Sequence, residues 1–191
     1  MPPSWFLAFP VDGRFVERLP PPPASIRLFH PEDVHLTLSF LGPCGSARAA
    51  RALSALDEAL SQGDVAGVDV SLAAVVPMGA KREYSALSAL LERGRPEVER
   101  LISSLRDAVS EAALARREQR PPRPHVTIAR PQSRASAAAR VAGLAWAAGL
   151  DLHAVSAKLD RIALYTWADG DRCDRLFRVV AARELPPPIA G

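Results

Sequence analysis

The sequence is poor in aromatic residues and in cysteine. Aromatic side chains make up 6% of its 191 residues, so its core must be built mainly from Leu, Val, Ile and Ala. Only two cysteines occur, Cys44 and Cys173. Two distant cysteines form neither a disulfide framework nor a zinc motif. They are typical of small buried apolar residues in a reducing cytoplasm.

Lysine is also scarce, and positive charge is carried almost entirely by arginine. Lysine occurs only at Lys81 and Lys158, so 22 of the 24 cationic residues are arginine. Arginine suits bidentate recognition of phosphate, although an Ala-, Arg- and Pro-rich composition also fits biased codon usage. The formal net charge is only +3, which does not require a long nucleic-acid ligand.

Long apolar runs are missing as well. No run approaches the ~18 apolar residues of a membrane span, and "MPPSWFLAFPVDG" lacks the features of a signal peptide. Hydrophobic residues make up 48% of the chain, so wholesale disorder is excluded. We therefore expect a soluble, cytoplasmic, monomeric protein without a membrane partner. It should form a single domain over residues 1–191, with a frayed tail at 185–191.

Apolar periodicity and turn residues predict alternating helices and strands. The predicted helices cover 12–19, 46–63, 95–118 and 133–150, and Ser46 is the expected cap of the second. The predicted strands cover 4–11, 34–41, 65–77, 82–91, 125–129, 158–167 and 175–184. The composition of 82–91 also allows a helix. Two roughly similar passes of strands and helices indicate an α+β domain of two related lobes.

The pattern His-x-Thr occurs twice, in "HLTLSFLG" from His35 and in "HVTIAR" from His125. With four His and three Thr in the chain, chance predicts roughly 0.06 such coincidences. Residues i and i+2 of a strand share a face, so Thr37 should point with His35, and Thr127 with His125. Strict alternation places the intervening apolar residues on the opposite, core-facing side: Val34, Leu36, Leu38, Phe40, Val126 and Ile128.

Two imidazoles with two hydroxyls fit cleavage of a phosphodiester without a metal. Near neutral pH one histidine can accept a proton while the other donates one, and Thr hydroxyls can hold phosphate oxygens. A structural histidine and a zinc site are the alternative interpretations. Metal sites usually need three or four ligands, and neither motif contains Asp, Glu or Cys. We therefore expect no metal and no cofactor.

The two motifs resemble the paired H-x-T-x signatures of the two-histidine (2H) phosphoesterases. The resemblance is greatest to the bacterial and archaeal RNA 2′,3′-cyclic phosphodiesterases, formerly named 2′-5′ RNA ligases. "FLG" follows the first motif, Pro124 precedes the second histidine, and Arg130 stands five residues after it. "WFLAFPV" and "RIALYTW" also lie where that family has strands. One departure is Leu28 and Phe29, where the family has a Trp-Val-type pair, and it weakens inferences about base stacking.

The resemblance implies a bilobed α+β fold with two antiparallel sheets lining a central cleft, helices on the outer faces and lobes related by a pseudo-twofold axis. It implies hydrolysis of RNA 2′,3′-cyclic phosphate ends to 2′-phosphate, with reversible 2′-5′ RNA ligation as the related reaction. His35 and His125 would be the acid–base pair. The assignment of His35 as the acid and His125 as the base is our own hypothesis. Thr37 and Thr127 would bind the phosphate. Arg130 would also contact it, provided that a bend or strand end turns it toward His125.

Two other classes of function remain open. One is a nucleotide- or RNA-end-binding module with weak catalysis, and the other is a 2H esterase acting on a small cyclic phosphate such as a cyclic nucleotide. For any shared site, the two reactive ring nitrogens should lie roughly 5–9 Å apart, on strands from different sheets. The remaining candidates are interpreted as core, rim or ordinary loop residues: Trp5, Phe6, Phe9, His30, Arg123, His153, Tyr165 and Trp167.

Overall fold

The structure is a computed structural model that describes residues 3–63, 65–80, 83–169 and 174–187. Its strands are β1 (Trp5–Pro10), β2 (Ile26–Leu28), β3 (His35–Gly42), β4 (Val68–Gly79), β5 (Tyr84–Leu91), β6 (His125–Pro131), β7 (Ser156–Leu159), β8 (Arg161–Trp167) and β9 (Phe177–Glu184). Its α-helices are α1 (Ser46–Gln62), α2 (Arg95–Ala112) and α3 (Ala137–Ala148). Two short 3₁₀ helices cover Gly13–Arg18 and Pro31–Asp33.

The nine strands form one antiparallel sheet. Its order is β7-β4-β5-β6-β3-β1-β8-β9, and β2 pairs separately with β6. The α+β class with antiparallel strands is therefore confirmed. The prediction of two separate sheets is wrong, because β3 and β6 pair directly, with Leu36 opposite Val126. The two histidine strands are thus neighbours, and each also has a partner on its outer side, β1 for β3 and β5 for β6.

The apolar residues of the strands and helices meet in one large core. Helix α1 packs against α2, α2 packs on β3 and β4, and α3 packs on β2 and β4. The 3.6-residue stripe of α2 is buried as its spacing predicts. Its members are Val98, Leu101, Ile102, Leu105 and Val109. Leu36 and Leu38 of β3 are buried in the same core, which leaves the other face of β3 for His35 and Thr37.

Several boundaries differ from the prediction. Gly45, not Ser46, caps α1, and it does so with a φ of 78° and without a side-chain hydrogen bond. Helix α2 ends at Ala112, because Leu114 already adopts a left-handed φ of 54°. The segment 12–19 contains a 3₁₀ helix, and the segment that could also have been a helix, 82–91, contains the strand β5.

The predicted strand over 158–167 is divided into two strands. β7 pairs with β4 and β8 pairs with β1, so the chain changes neighbours at Asp160. The Asp160 carbonyl accepts the N–H of Leu185 at 2.7 Å, and Leu185 is buried. The chain is therefore packed at Leu185, where the predicted tail begins.

Residues 170–173 and 188–191 lie outside the described part of the chain. Cys173 and the end of the predicted tail fall among them. Cys44 is partly buried. Within the described ranges, no helix has the length and apolarity that crossing a membrane requires.

Candidate active site

The pairing of β3 with β6 brings the two His-x-Thr motifs together. Leu36 lies opposite Val126, so one step along each antiparallel strand places His35 opposite Thr127 and Thr37 opposite His125. Directly opposite residues of an antiparallel pair lie about 4.5–5.5 Å apart, and diagonal neighbours about 7–8 Å. The four side chains therefore form a compact patch related by a local twofold axis, with the histidines on its diagonal.

Each histidine strand has a β-bulge one residue after its His-x-Thr motif. On β3, Thr37 pairs with Ala8 but Ser39 pairs with Leu7, which leaves one extra residue on β3. On β6, the register against β5 shifts in the same way between Thr127 and Ala129. Such an extra residue reverses the alternation of side chains beyond it. The local twofold symmetry therefore relates the two bulges as well as the two His-x-Thr motifs.

The bulges move the fifth residue after each histidine to the histidine face. Phe40 is 62% exposed, so the prediction that it joins the core is wrong. Arg130 occupies the corresponding position on β6. The bulge of β6 is the bend that turns Arg130 toward the face of His125. The two halves of the site therefore differ here, with an aromatic ring on one strand and a guanidinium on the other.

A cavity of about 310 Å³ opens beside the patch on the His35 side. Its lining consists of five aromatic or apolar residues and four polar residues, three of which are predicted site residues. The lining residues are Ser4, Phe6, His35, Thr37, Phe40, Arg130, Trp167, Leu176 and Phe177. Three of the five predicted site residues thus line one cavity, and His125 and Thr127 adjoin it on the neighbouring strand.

Both imidazoles are held in the same way. His35 Nδ1 lies 2.6 Å from the carbonyl oxygen of Asp33, and His125 Nδ1 lies 2.7 Å from the carbonyl oxygen of Arg123. In each case the partner is the residue two positions earlier. A carbonyl oxygen only accepts hydrogen bonds, so each Nδ1 carries a proton. Nε2 is then the nitrogen left on each ring for proton transfer.

The surroundings of His35 are apolar and aromatic. Its ring centroid lies 4.8 Å from that of Phe6, 5.4 Å from Tyr165 and 5.5 Å from Phe177, and the residue is only 8% exposed. Burial lowers the pKa of His35 to about 4, although the Asp33 carbonyl opposes this effect and the charge of His125 adds to it. His35 is therefore a neutral imidazole in the ligand-free protein at neutral pH. His125 is more exposed.

Asp33 anchors the wall of the cavity. This carboxylate is fully buried and accepts hydrogen bonds from the N–H of Leu176 at 2.7 Å, the N–H of Phe177 at 3.1 Å and Nε of Arg175 at 3.2 Å. Burial raises the pKa of Asp33, and the two backbone hydrogen bonds oppose that shift. Sequence reasoning missed Asp33, since an acidic residue before a strand is usually exposed.

The two threonines have different neighbours. Thr127 Oγ1 lies 3.0 Å from the hydroxyl oxygen of Ser88 on β5, and Ser88 is fully buried. Thr37 faces Ala8 at the corresponding position on β1. No sequence signal marks Ser88, because its role depends on which strand lies beside β6.

The other histidines and Arg123 lie outside this cavity. His30 Nδ1 accepts the N–H of Glu32 at 3.2 Å and caps a 3₁₀ helix. His153 is exposed, with Nδ1 2.9 Å from a carboxylate oxygen of Glu92. Arg123 is exposed, and its backbone carbonyl, not its side chain, contacts His125.

The aromatic candidates divide between the core and the site. Trp5 and Phe9 are buried in the core as expected. Phe6 and Tyr165 pack on His35, and Phe6 and Trp167 line the cavity. All three residues therefore belong to the site. Across the described ranges, no group of three or more His, Cys, Asp or Glu residues is arranged to hold a metal ion.

Solved structures share this fold over nearly their whole length. E. coli LigT, crystallised with 3′-AMP, covers 97% of this chain with 99% of its own, at a TM-score of 0.66 and 18% identity. The alignment with TT0787 of Thermus thermophilus covers 96% of this chain and 98% of TT0787. Its TM-score is 0.71 and the sequence identity is 18%. The alignment with Usb1 of Kluyveromyces marxianus covers 96% of this chain and 97% of Usb1. Its TM-score is 0.55 and the sequence identity is 13%. The chain therefore has the LigT-like fold.

The sequence profile of the 2′-5′ RNA ligase superfamily matches residues 17–171. The chain belongs to this superfamily, and the resemblance predicted from the two motifs is confirmed at that level. No curated protein sequence matches the chain significantly.

Proposed function

We propose that this protein hydrolyses RNA 2′,3′-cyclic phosphate ends to 2′-phosphates, with His35 and His125 as the acid–base pair and without a metal or cofactor. The observation that carries the proposal is the symmetric pair of imidazoles on adjoining strands. Each donates from Nδ1 to the carbonyl two residues earlier, at 2.6 Å and 2.7 Å. Both rings therefore keep Nε2 for proton transfer, which a pair of merely structural histidines would not require.

The reaction follows from this arrangement. Water attacks phosphorus and the bond from phosphorus to O3′ breaks, which leaves a 2′-phosphate and a 3′-hydroxyl. One histidine, as a neutral imidazole, takes the proton of the attacking water. The other histidine, as an imidazolium, gives a proton to O3′. Thr37, Thr127 and Arg130 stabilise the charge that develops on the phosphoryl oxygens.

The unequal surroundings of the histidines bear on their roles. Burial keeps His35 neutral at neutral pH by lowering its pKa, and a neutral imidazole is the form that a general base requires. We therefore assign His35 as the base and His125 as the acid, which reverses the assignment made from sequence.

The cavity suits a single nucleotide. Its volume of about 310 Å³ is at the lower end of the range for ligand sites, and Phe40, which is 62% exposed, offers a flat apolar surface within it. E. coli LigT, which shares the fold, has been crystallised with 3′-AMP. We propose that the terminal nucleotide of an RNA occupies the cavity of a monomeric, cytoplasmic enzyme. The small cavity also favours a second candidate, an esterase for free cyclic nucleotides.

A comparison of two substrates tests the proposal. The purified protein is incubated with a dinucleotide that ends in a 2′,3′-cyclic phosphate and, separately, with a 2′,3′-cyclic mononucleotide, and products are resolved by ³¹P NMR. Turnover of the dinucleotide to a 2′-phosphate is expected. Turnover of the mononucleotide alone would favour an esterase that acts on small cyclic phosphates. Binding of either compound without turnover would favour a nucleotide- or RNA-end-binding module. A 3′-phosphate product would contradict the assigned leaving oxygen.

A further inference from the structure

Ser88 occupies a distinctive position behind one of the two threonines. It lies on β5 directly opposite Thr127, it is completely buried, and its hydroxyl oxygen is 3.0 Å from Thr127 Oγ1. Within the described part of the chain, its side chain has no other hydrogen-bond partner. A buried hydroxyl with a single neighbour must use that neighbour to satisfy its donor or acceptor capacity.

The other half of the site lacks this arrangement. The local twofold axis that relates β3 to β6 also relates β1 to β5, so the counterpart of Ser88 is Ala8, opposite Thr37. Among the described residues, no hydrogen bond to the Thr37 side chain is formed. The Thr127 hydroxyl is therefore restrained by a neighbour, whereas the Thr37 hydroxyl is free to rotate about its C–O bond.

We propose that Ser88 is a positioning residue that directs the Thr127 hydroxyl proton toward the substrate phosphate, an inference that rests on the function proposed above. Thr127 is only partly buried, so the side of its hydroxyl away from Ser88 remains accessible. Each hydroxyl has one proton. If Ser88 donates to Thr127 Oγ1, the proton of Thr127 is available to a phosphate oxygen, and an anion at the site favours this direction.

The size of the effect follows from the strength of one hydrogen bond. Removal of the Ser88 hydroxyl leaves Thr127 in place but allows its proton to turn away from the phosphate. A net neutral hydrogen bond corresponds to about a three- to ten-fold change in an equilibrium or rate constant. The loss should depend on the presence of the Thr127 hydroxyl, because Ser88 acts only through it.

A double-mutant cycle tests this dependence. Ser88→Ala, Thr127→Val and the double variant are compared with the unmodified protein for kcat/KM on the cyclic-phosphate dinucleotide and for affinity toward inorganic phosphate. Ser88→Ala should lower both by about three- to ten-fold, and it should have no further effect in the Thr127→Val background. Ser39→Ala is the matched control, since it removes another buried serine hydroxyl whose partner is Ser110, at 2.9 Å, and it should leave both quantities unchanged.

The inference is overturned if Ser88→Ala matches the unmodified protein. It is also overturned if Ser88→Ala has the same effect with and without the Thr127 hydroxyl, because that result indicates a general structural role. The phosphate measurement separates this inference from the proposed function. If no cyclic phosphate is turned over but phosphate affinity shows the expected coupling, the function is wrong and the role of Ser88 stands. If the unmodified protein neither turns over substrate nor binds phosphate, both proposals are overturned.

Discussion

At the scale of single residues, His35 and His125 share one hydrogen-bonding pattern and should act as one unit. His35→Ala and His125→Ala should each lower kcat by ~10²–10⁴ while the fold is retained. The double variant should lose little more than the worse single variant. Steady-state kinetics on the cyclic-phosphate dinucleotide measures this, with circular dichroism to check folding. His153→Ala is the control and should retain full activity, as its exposed side chain lies outside the cavity. Full activity in either folded site variant would contradict the proposal.

The burial of His35 also predicts how stability depends on pH. Its folded-state pKa is about 4, below the ordinary value of 6.5, so between these values the unfolded chain binds a proton that the folded protein does not. Stability should therefore fall as the pH falls through this window. The expected decrease in the free energy of unfolding is about 2 kcal/mol between pH 7 and pH 5.

Urea unfolding at the two pH values measures this decrease. His35→Asn, which cannot titrate, should lose most of the pH dependence, whereas His153→Asn should keep it. Equal pH dependence in His35→Asn and the unmodified protein would show that His35 does not titrate in this way.

At the scale of the strand, the bulge of β3 decides which side chains face the core. Leu38 is 3% exposed and Phe40 is 62% exposed, although a regular strand would place both on one face. Phe40→Ala should therefore change the free energy of unfolding by less than ~0.5 kcal/mol and raise KM for the nucleotide. Leu38→Ala should cost about 2–5 kcal/mol. Urea unfolding and kinetics of the two variants test this contrast, and a large loss of stability in Phe40→Ala would refute the bulged register.

The connection between the segment before β3 and the start of β9 depends on Asp33. Loss of its carboxylate leaves two backbone N–H groups and the Nε of Arg175 without their buried partner. Asp33→Ala should therefore lower the free energy of unfolding by about 3 kcal/mol. Glu32→Ala is the matched control, because Glu32 also pairs with Arg175 but is 67% exposed, and its loss should cost less than ~1 kcal/mol. Comparable losses in both variants would argue against a special role for Asp33.

At the scale of the whole molecule, the number of potential metal ligands at the site predicts whether activity depends on a metal ion. The site offers two imidazoles, and no His, Cys, Asp or Glu group in the described part of the chain completes a set of three. Structural and catalytic zinc sites use at least three protein ligands. Activity should therefore be unchanged after dialysis against EDTA, measured with the cyclic-phosphate dinucleotide. Loss of activity in EDTA that is restored by zinc or manganese would overturn the metal-free mechanism.

The sequence alone was sufficient for features that depend on local geometry. The two-residue period of a strand places Thr37 with His35 and Thr127 with His125, and the 3.6-residue period identifies the buried face of α2. The doubled motif also pointed to the superfamily, because so few histidines and threonines occur in the chain. Each of these inferences needs only residues that are close together in sequence.

Only the tertiary structure decided which distant residues complete the site. The bulges turn Phe40 and Arg130 toward the histidines, because the register of β3 and β6 is set by β1 and β5. The burial of Asp33 and the contact of Ser88 with Thr127 likewise depend on elements far away in the sequence. The direct pairing of β3 with β6, which joins the two expected sheets into one, depends on how the whole chain packs. No local pattern carries this information, since strand neighbours and their register are settled by the packing of the complete core.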